Sequence, residues 1–582
     1  MAEREPSERG LNASMNGAVP PSAFPPPVQS PQEFVKRELD GEDDRIDVGV
    51  VIVGGGPAGL ACANRLLQLL AEDPALSERL GEVPVAVVEK GKACGAHNLS
   101  GACMQPEPLR ALFPDVDPKE WPFRHGDAVS KETVYWMLSS GIALPLKPTP
   151  PPFRNHGNYV VSVAELSRWL AEKAEEAGAY ILTETSATQL LVEDGIVRGV
   201  RSGDKGRGKD GEPLGNFEPG SDLAAQATVL AEGTWGHLTG AAIREFDLSA
   251  DREPQVWSLG VKEVWEVPKP LERIIHTLGW PLRYRAKYQE FGGSWIYPMG
   301  EDKVSLGFVV GLDNTDATLS GHDVLQEFKQ SRLVRKILEG GKRVTWGAKA
   351  IPEGGYWAMP KLTAPGLALA GDGAGMVNVP RLKGIHYAIQ AGMLAAETIY
   401  QGLKSGSTNF SAYEQRVEDS IIGEDLYETR NMKQPFSKGF FVGGAITNAM
   451  VISKGRFPGG RWHNHRDADA PVFIGNKRKK YPKPDGKYTF DKLSSVYVTG
   501  NATRDDAPNH IRVQKRVPRE VAEAWVYMCP AGVYELPEDA PADGEVDVIV
   551  NYTNCVQCGA ITAKGGRLTP PEGGDGPLYT VT

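Results

Sequence analysis

An apolar, β-branched run, Val48-Gly49-Val50-Val51-Ile52-Val53, ends directly in Gly54-Gly55-Gly56-Pro57-Ala58-Gly59, and Leu60 to Leu67 continue in helix-forming residues. This G-x-G-x-x-G sits between a strand and a helix, the context in which it binds a dinucleotide. Gly54 permits the tight turn, Gly56 lets backbone approach a pyrophosphate, and Gly59 lets helix and strand pack closely. The helix N-terminus then faces the phosphate charge. A second apolar run, Val85-Ala86-Val87-Val88, ends in Glu89, where a ribose-binding acid belongs.

Two later segments favour FAD over NAD. Ala227-Thr228-Val229-Leu230-Ala231-Glu232-Gly233 is a short strand ending in a turn, which returns the chain to the nucleotide sheet. Gly366 to Ala374 is a strand ending in Gly371-Asp372, the acid expected on the ribityl chain. Lys383-Gly384 then opens a helical stretch whose N-terminus suits pyrophosphate or flavin. The expected fold is α/β (α+β overall). A Rossmann-like FAD domain of the glutathione-reductase/hydroxylase type is split between 46–250 and 345–405. A β-rich region at 251–344 is inserted into it.

At 582 residues the chain is too long for one core. Its net charge of −10 argues against a nucleic-acid partner. No run of 18 apolar residues appears, so no spanning helix is expected, and the N-terminus reads as neither signal nor transit peptide. Residues 1–45, rich in Pro, Ser, Glu and Asp, are expected to be a disordered tail. Of six cysteines, Cys62, Cys94 and Cys103 lie around the dinucleotide fold. Cys529, Cys555 and Cys558 cluster near the end and suggest metal ligation.

Longer motifs follow in order. They are Gly95-Ala96-His97-Asn98-Leu99-Ser100-Gly101-Ala102-Cys103, Asn155-His156-Gly157-Asn158-Tyr159, His276-Thr277-Leu278-Gly279-Trp280-Pro281-Leu282, Gly292-Gly293-Ser294-Trp295, Glu353-Gly354-Gly355 and Asn378-Val379-Pro380. From residue 47 onward the chain resembles the electron-transfer flavoprotein:ubiquinone oxidoreductase family. The resemblance implies a monotopic membrane protein with FAD, an iron–sulfur cluster and a quinone pocket. Such a protein takes single electrons from reduced electron-transfer flavoprotein and delivers pairs to a membrane quinone. It would work at the cytoplasmic face of the inner cell membrane.

A quinone needs an apolar slot with a few hydrogen-bonding groups at its head. Phe291-Gly292-Gly293 fits that need, and the resemblance implies that the Gly-Gly backbone touches the quinone head. It also implies that Asn378 lies beside the flavin; the alternative is a turn residue bonded to its own backbone. Residues 406–480 are expected to be helical and membrane-associating. Phe436, Phe440, Phe441, Val442, Ile446, Met450, Val451 and Ile452 form an apolar stretch too short to span, flanked by Lys438, Lys454, Arg456 and Arg461. The alternative there is a buried helical hairpin.

Residues 481–582 resemble a ferredoxin-like module in which Cys529, Cys555 and Cys558 bind iron. The family's fourth cysteine falls on Ile561, which cannot bind iron. Three readings stay open: a three-iron cluster, a four-iron cluster with a non-cysteine ligand, or a degenerate module. A zinc site would lack a fourth ligand too. Asp372 and Ser162 also depart from the family, which has a small neutral residue and an arginine there. The competing functions are an FAD-dependent hydroxylase or isoprenoid reductase on the same scaffold, and a non-catalytic electron relay.

Overall fold

The run that ends at the glycines is a strand, Arg45–Val53, whose last six residues are buried. The computed structural model describes residues 17–27, 33–283, 285–457, 459–475 and 478–582. Burial on both faces explains the unbroken apolar sequence, and both neighbours of this strand run parallel to it. Arg45–Val53 pairs in parallel with Asp222–Leu230 along its length and with Val85–Val88 on its other edge. Leu367–Leu369 joins Asp222–Leu230 in parallel. Segments far apart in sequence therefore build one nine-stranded sheet, ordered Val35–Lys36, Ala187–Glu193, Ile196–Ser202, Asp222–Leu230, Arg45–Val53, Val85–Val88, Tyr180–Leu182. Thr363–Ala364 and Leu367–Leu369 branch from Asp222–Leu230. Helix Pro57–Ala71 packs on helix Ile385–Ser405 so closely that a Cβ on Gly392 would lie 2.2 Å from the Ala58 carbonyl.

A second sheet of seven strands runs Lys342–Pro352, Trp257–Glu266, Lys303–Gly311, Gly292–Met299, Ile274–Gly279, Glu132–Ser139, Ile142–Leu146. This corrects the expected boundaries. The hairpin Glu132–Leu146 lies within the stretch assigned to the nucleotide domain, yet it pairs with Ile274–Gly279 and extends the second sheet. That sheet also continues past 344 to Pro352.

The C-terminal segment has helix Arg519–Met528 and three short strand pairs. It shares one hydrophobic core with the second sheet, with Trp525 and Ile561 in the same cluster as Trp257 and Phe308. The 406–480 region is helical at Ala412–Glu418, Ile421–Glu428 and Phe440–Ile452, and beyond that largely irregular.

The tail expectation is also corrected where the structure describes it; residues 1–16 and 28–32 lie outside the described residues. Val19 exchanges two backbone hydrogen bonds with Val472. Val35–Lys36 forms a parallel edge on Ala187–Glu193. Buried Phe34 lies under the Arg567 guanidinium, 4.0 Å from the ring centroid. Lys36 bonds to the buried Asp222 at 2.6 Å. A few aromatic and charged anchors fix segments whose composition alone suggested disorder.

Candidate functional site

The parallel strands end at a cavity of about 330 Å³, which runs from the glycine loop to the C-terminal segment. Gly54, Gly56, Glu89, Gly233, Asp372, Lys383 and Gly384 all line it. Gly59 does not: a Cβ there would fall 2.1 Å from the Gly54 carbonyl, so it serves helix–strand packing. Helices Pro57–Ala71 and Ile385–Ser405 begin at this cavity with Gly56 and Gly384 as caps. Neither has a side-chain cap, which leaves first-turn amides for an anionic ligand.

Glu89 accepts from the amides of Gly55 at 2.8 Å and Gly91 at 2.6 Å. It thereby fixes the glycine loop, and its remaining lone pairs can still accept a hydroxyl. Burial pushes Asp372 up to about 6 despite the opposing charge of Lys349, and burial drops Lys349 to about 8. Lys383 is buried, its proton affinity lowered by desolvation, and donates to Asn155 Oδ1 at 2.6 Å.

Asn378 sits between two lining residues, Val377 and Val379. It does not line this cavity. Its amide nitrogen donates to the Asp425 carbonyl at 3.0 Å and its oxygen accepts from Arg381 N at 3.1 Å. The side chain holds the turn before Lys383, the alternative the sequence had left open. Phe291, Gly292 and Gly293 do not line the cavity either. They open strand Gly292–Met299, and neighbouring backbone requires the glycines: a Cβ on Gly292 would lie 1.9 Å from the Val309 carbonyl, and one on Gly293 2.8 Å from that of Thr277. Phe291 meets Phe436 at 4.9 Å, Phe436 meets Phe440 at 5.8 Å, and Phe440 meets Trp136 at 4.9 Å.

This aromatic group underlies an apolar face. Leu138, Ile142 and Leu144 on the hairpin, with Phe441, Val442 and Ile452 on helix Phe440–Ile452, are exposed, Phe441 to 71% and Ile452 to 85%. Among the described residues no helix is long and apolar enough to cross a membrane. Arg461, expected to flank this segment as a headgroup cation, binds buried Glu253 at 2.5 Å and the Asp251 carbonyl at 2.7 Å.

The far wall of the cavity is the cysteine loop. Gln557 and Gly559, on either side of Cys558, line the same space as Gly56. Strand Lys342–Pro352 holds them there. Ala350 N donates to the Cys558 carbonyl at 2.8 Å, and Lys349 Nζ to the Gln557 carbonyl at 3.3 Å. Trp235, another lining residue, stacks on Trp257 at 3.8 Å. Lys349 was not singled out in the sequence, and no local pattern marks it. Only the pairing of distant strands brings it between Asp372 and the cysteines.

Burial, and then the charge of neighbouring thiols, raises the proton affinity of Cys555 and Cys558, with Cys529 among those neighbours. Backbone amides of Val533 and Gln557 approach the sulfurs of Cys529 and Cys555 at 3.4 Å. Buried thiols that receive amide hydrogen bonds suit iron–sulfur ligation in kind. Ile561 is 4% exposed in the core beside Val513 and Gly566, so it offers no donor. The remaining cysteines, Cys62, Cys94 and Cys103, are buried in or against the nucleotide sheet and its neighbours. Among the described residues no three His, Cys, Asp or Glu side chains are gathered to hold a single metal ion.

Comparison with known proteins agrees with this arrangement. Residues 257–351 match a family model described as ETF-QO, ubiquinone-binding. Residues 486–580 match one described as electron transfer flavoprotein-ubiquinone oxidoreductase, 4Fe-4S. The chain is 36% identical to the mitochondrial electron transfer flavoprotein-ubiquinone oxidoreductase of Oryza sativa subsp. japonica, over 99% of this chain and 100% of that one. It is 37% identical to the protein of that name from Bos taurus, over 92% of this chain and 89% of that one. Among solved structures, a geranylgeranyl bacteriochlorophyll reductase-like protein from Thermoplasma acidophilum superposes with a TM-score of 0.51 at 18% identity, covering 70% of this chain and 92% of that one. That likeness concerns the fold alone. The relatives, similar over about nine-tenths or more of their length, are decisive: the chain belongs to the electron transfer flavoprotein-ubiquinone oxidoreductase family.

Proposed function

We propose that this protein accepts electrons from a reduced electron-transfer flavoprotein and passes them, through FAD and an iron–sulfur module, to ubiquinone. One observation supports this reading most: a single cavity has the glycine loop and two helix N-termini at one end and the Cys555–Cys558 loop at the other. FAD, when bound, takes up electrons singly and hands on a pair, which joins a one-electron donor to a two-electron acceptor. Gly54 and Gly56 leave room for a pyrophosphate, and the uncapped amides of both helices stabilise its charge. Lys383 adds positive charge, held in place by Asn155. Lys349 ties the cysteine loop to the cavity wall.

The hydroxylase alternative makes a different demand, because it needs NAD(P)H to reduce its flavin. In stopped-flow experiments reduced electron-transfer flavoprotein is expected to bleach the flavin, and NAD(P)H is expected not to. Rapid bleaching by NAD(P)H alone would establish the alternative.

The quinone is lipid-soluble, so its reductase must meet a bilayer. The exposed face of Leu138, Ile142, Leu144, Phe441, Val442 and Ile452 suits monotopic insertion into one leaflet, on the side from which the soluble donor arrives. Exposed Lys454 and Arg456 then lie at headgroup level. We put the quinone slot between that face and the cavity wall, where Lys433 bridges Phe291 and the lining residue Glu353. Phe441 and Ile452, the more exposed residues of the helix, are better probes than the half-buried Phe440. The double variant Phe441→Ser/Ile452→Ser is expected to move from the vesicle-bound to the free fraction in flotation, with flavin content unchanged. Losing two large apolar groups from the interface costs about 3–5 kcal/mol. Unchanged flotation would place the contact elsewhere.

A further inference from the structure

Reducing a quinone to a quinol consumes two electrons and two protons, and converts both carbonyl oxygens to hydroxyls. The donor supplies the electrons, so the protons must come from solvent. The structure holds a buried series of ionisable groups that leads from solvent to the cavity wall. Glu353 is 3% exposed and lines the cavity. Its Oε2 lies 3.3 Å from Lys433 Nζ. Lys433 Nζ lies 3.3 Å from Asp313 Oδ2, and the Asp313 side chain is 29% exposed. The same ammonium sits 4.1 Å above the Phe291 ring. A void of about 10 Å³ lies beside Glu353, Lys433 and Gln434, at the lower limit for a single water.

Two further groups close the cluster from behind. Buried Asp467 has neither oxygen hydrogen-bonded among the described residues. It faces Asp313, Lys433, Lys564 and Glu353. Lys564 Nζ donates to the Asn314 carbonyl at 2.9 Å. The Ser258 side chain lies against Glu353. Three carboxyls thus share a buried region with two ammoniums. Full ionisation leaves an uncompensated negative charge there, and one extra proton neutralises it. Burial raises the proton affinity of Asp467 and of Glu353, so that proton belongs to the cluster as a whole.

We infer that Asp313, Lys433 and Glu353 form a proton relay that supplies the reductive site. Asp313 takes a proton from water. Lys433 hands one proton to Glu353 as it takes one from Asp313, so the ammonium, whose proton affinity the neighbouring carboxylates raise, keeps its charge throughout. Glu353 releases the proton at the cavity wall. Asp467 and Lys564 hold the cluster one proton short of full ionisation. This inference rests on the reading of the chain as a quinone reductase and names the residues that serve that reaction's protons.

Two measurements on Glu353→Gln holoprotein test it. The infrared difference between oxidised protein at acid and alkaline pH is expected to show a protonated-carboxyl band in the wild type that is weakened in the variant. Quinone reduction is expected to fall roughly ten- to a hundredfold, most at alkaline pH. Flavin content and flavin reduction by the donor should stay unchanged, and Glu353→Asp should restore part of the rate. Asp313→Asn, at the surface, should give the same pH-dependent loss, and it decides the matter if Glu353→Gln fails to retain flavin. An unaltered pH profile in a folded variant overturns the relay. Absence of quinone reduction in the wild type would instead overturn the functional reading, while the infrared band would still report the shared proton.

Discussion

Gly56→Val is expected to purify folded and free of FAD. Gly56 has φ −97° and ψ −178°, extended backbone that valine readily adopts. A Cβ there meets only the Asn98 side-chain amide, at 3.5 and 3.8 Å. The polypeptide therefore accommodates the substitution, and the valine methyls enter the cavity where a pyrophosphate must approach backbone. The other two glycines of the motif do not allow this separation. Gly54 has φ +113°, and a Cβ on it would lie 2.3 Å from the Ala231 carbonyl; Gly59 abuts Gly54. Substituting either would damage the strand–helix unit itself. At Gly56 the expected loss of flavin affinity is at least about a hundredfold, or about 3 kcal/mol. Flavin absorbance per chain after gel filtration, with circular dichroism as the control for folding, measures it. A full complement of flavin in the variant would place the dinucleotide elsewhere.

Ile561→Cys is expected to raise the iron content of anaerobically purified protein from about three to about four per chain. The wild-type C-terminal segment offers Cys529, Cys555 and Cys558, all in one core with Ile561. A three-iron cluster needs no fourth thiolate. Oxidised, it is paramagnetic before any reductant is added, whereas an oxidised four-iron cluster of the usual low-potential type is silent until reduced. The substitution adds a fourth thiol three residues after Cys558, in the spacing the family uses, and should convert the first behaviour to the second. It also removes apolar volume from a buried site, at a cost of roughly 1–2 kcal/mol, which a folded module of this size tolerates. Iron analysis with electron paramagnetic resonance checks both parts. Wild-type protein without iron but with normal quinone reduction would show that electrons reach the flavin directly and that the cysteines serve no cluster.

The glycine loop, the strands around it and the residues that end them were legible because each answers to a local backbone demand. Gly54, Gly56 and Gly59 mark a turn; Val50 to Val53 mark a strand buried on both faces; Gly371-Asp372 ends another. All but Gly59 of the nucleotide-site residues named from sequence reach one cavity, and Gly59 does its work one layer behind it. What sequence did not show depends on long-range pairing. The hairpin Glu132–Leu146 reads as an ordinary pair of strands, and nothing local says which sheet will take its edge. Lys349 and Asp372, and likewise Lys433 and Glu353, are apart in sequence and meet only in the fold.

Two motifs were visible but carry different physics. The Gly292-Gly293 pair is required by the carbonyls of Val309 and Thr277, whatever it does for a quinone. Asn378 holds a turn through Asp425 and Arg381. Arg461 looked like a membrane cation because its partner, Glu253, is 208 residues away in sequence. The N-terminal segments looked disordered by composition, yet Val19, Phe34 and Lys36 are enough to anchor them.

Steady-state reduction of a soluble ubiquinone analogue, with reduced electron-transfer flavoprotein as sole donor, tests the central claim most directly. The purified holoprotein should turn over the quinone in proportion to its flavin content, and Gly56→Val should abolish that turnover. A flavin that dithionite reduces but reduced electron-transfer flavoprotein does not, with no quinone consumed, would contradict the account.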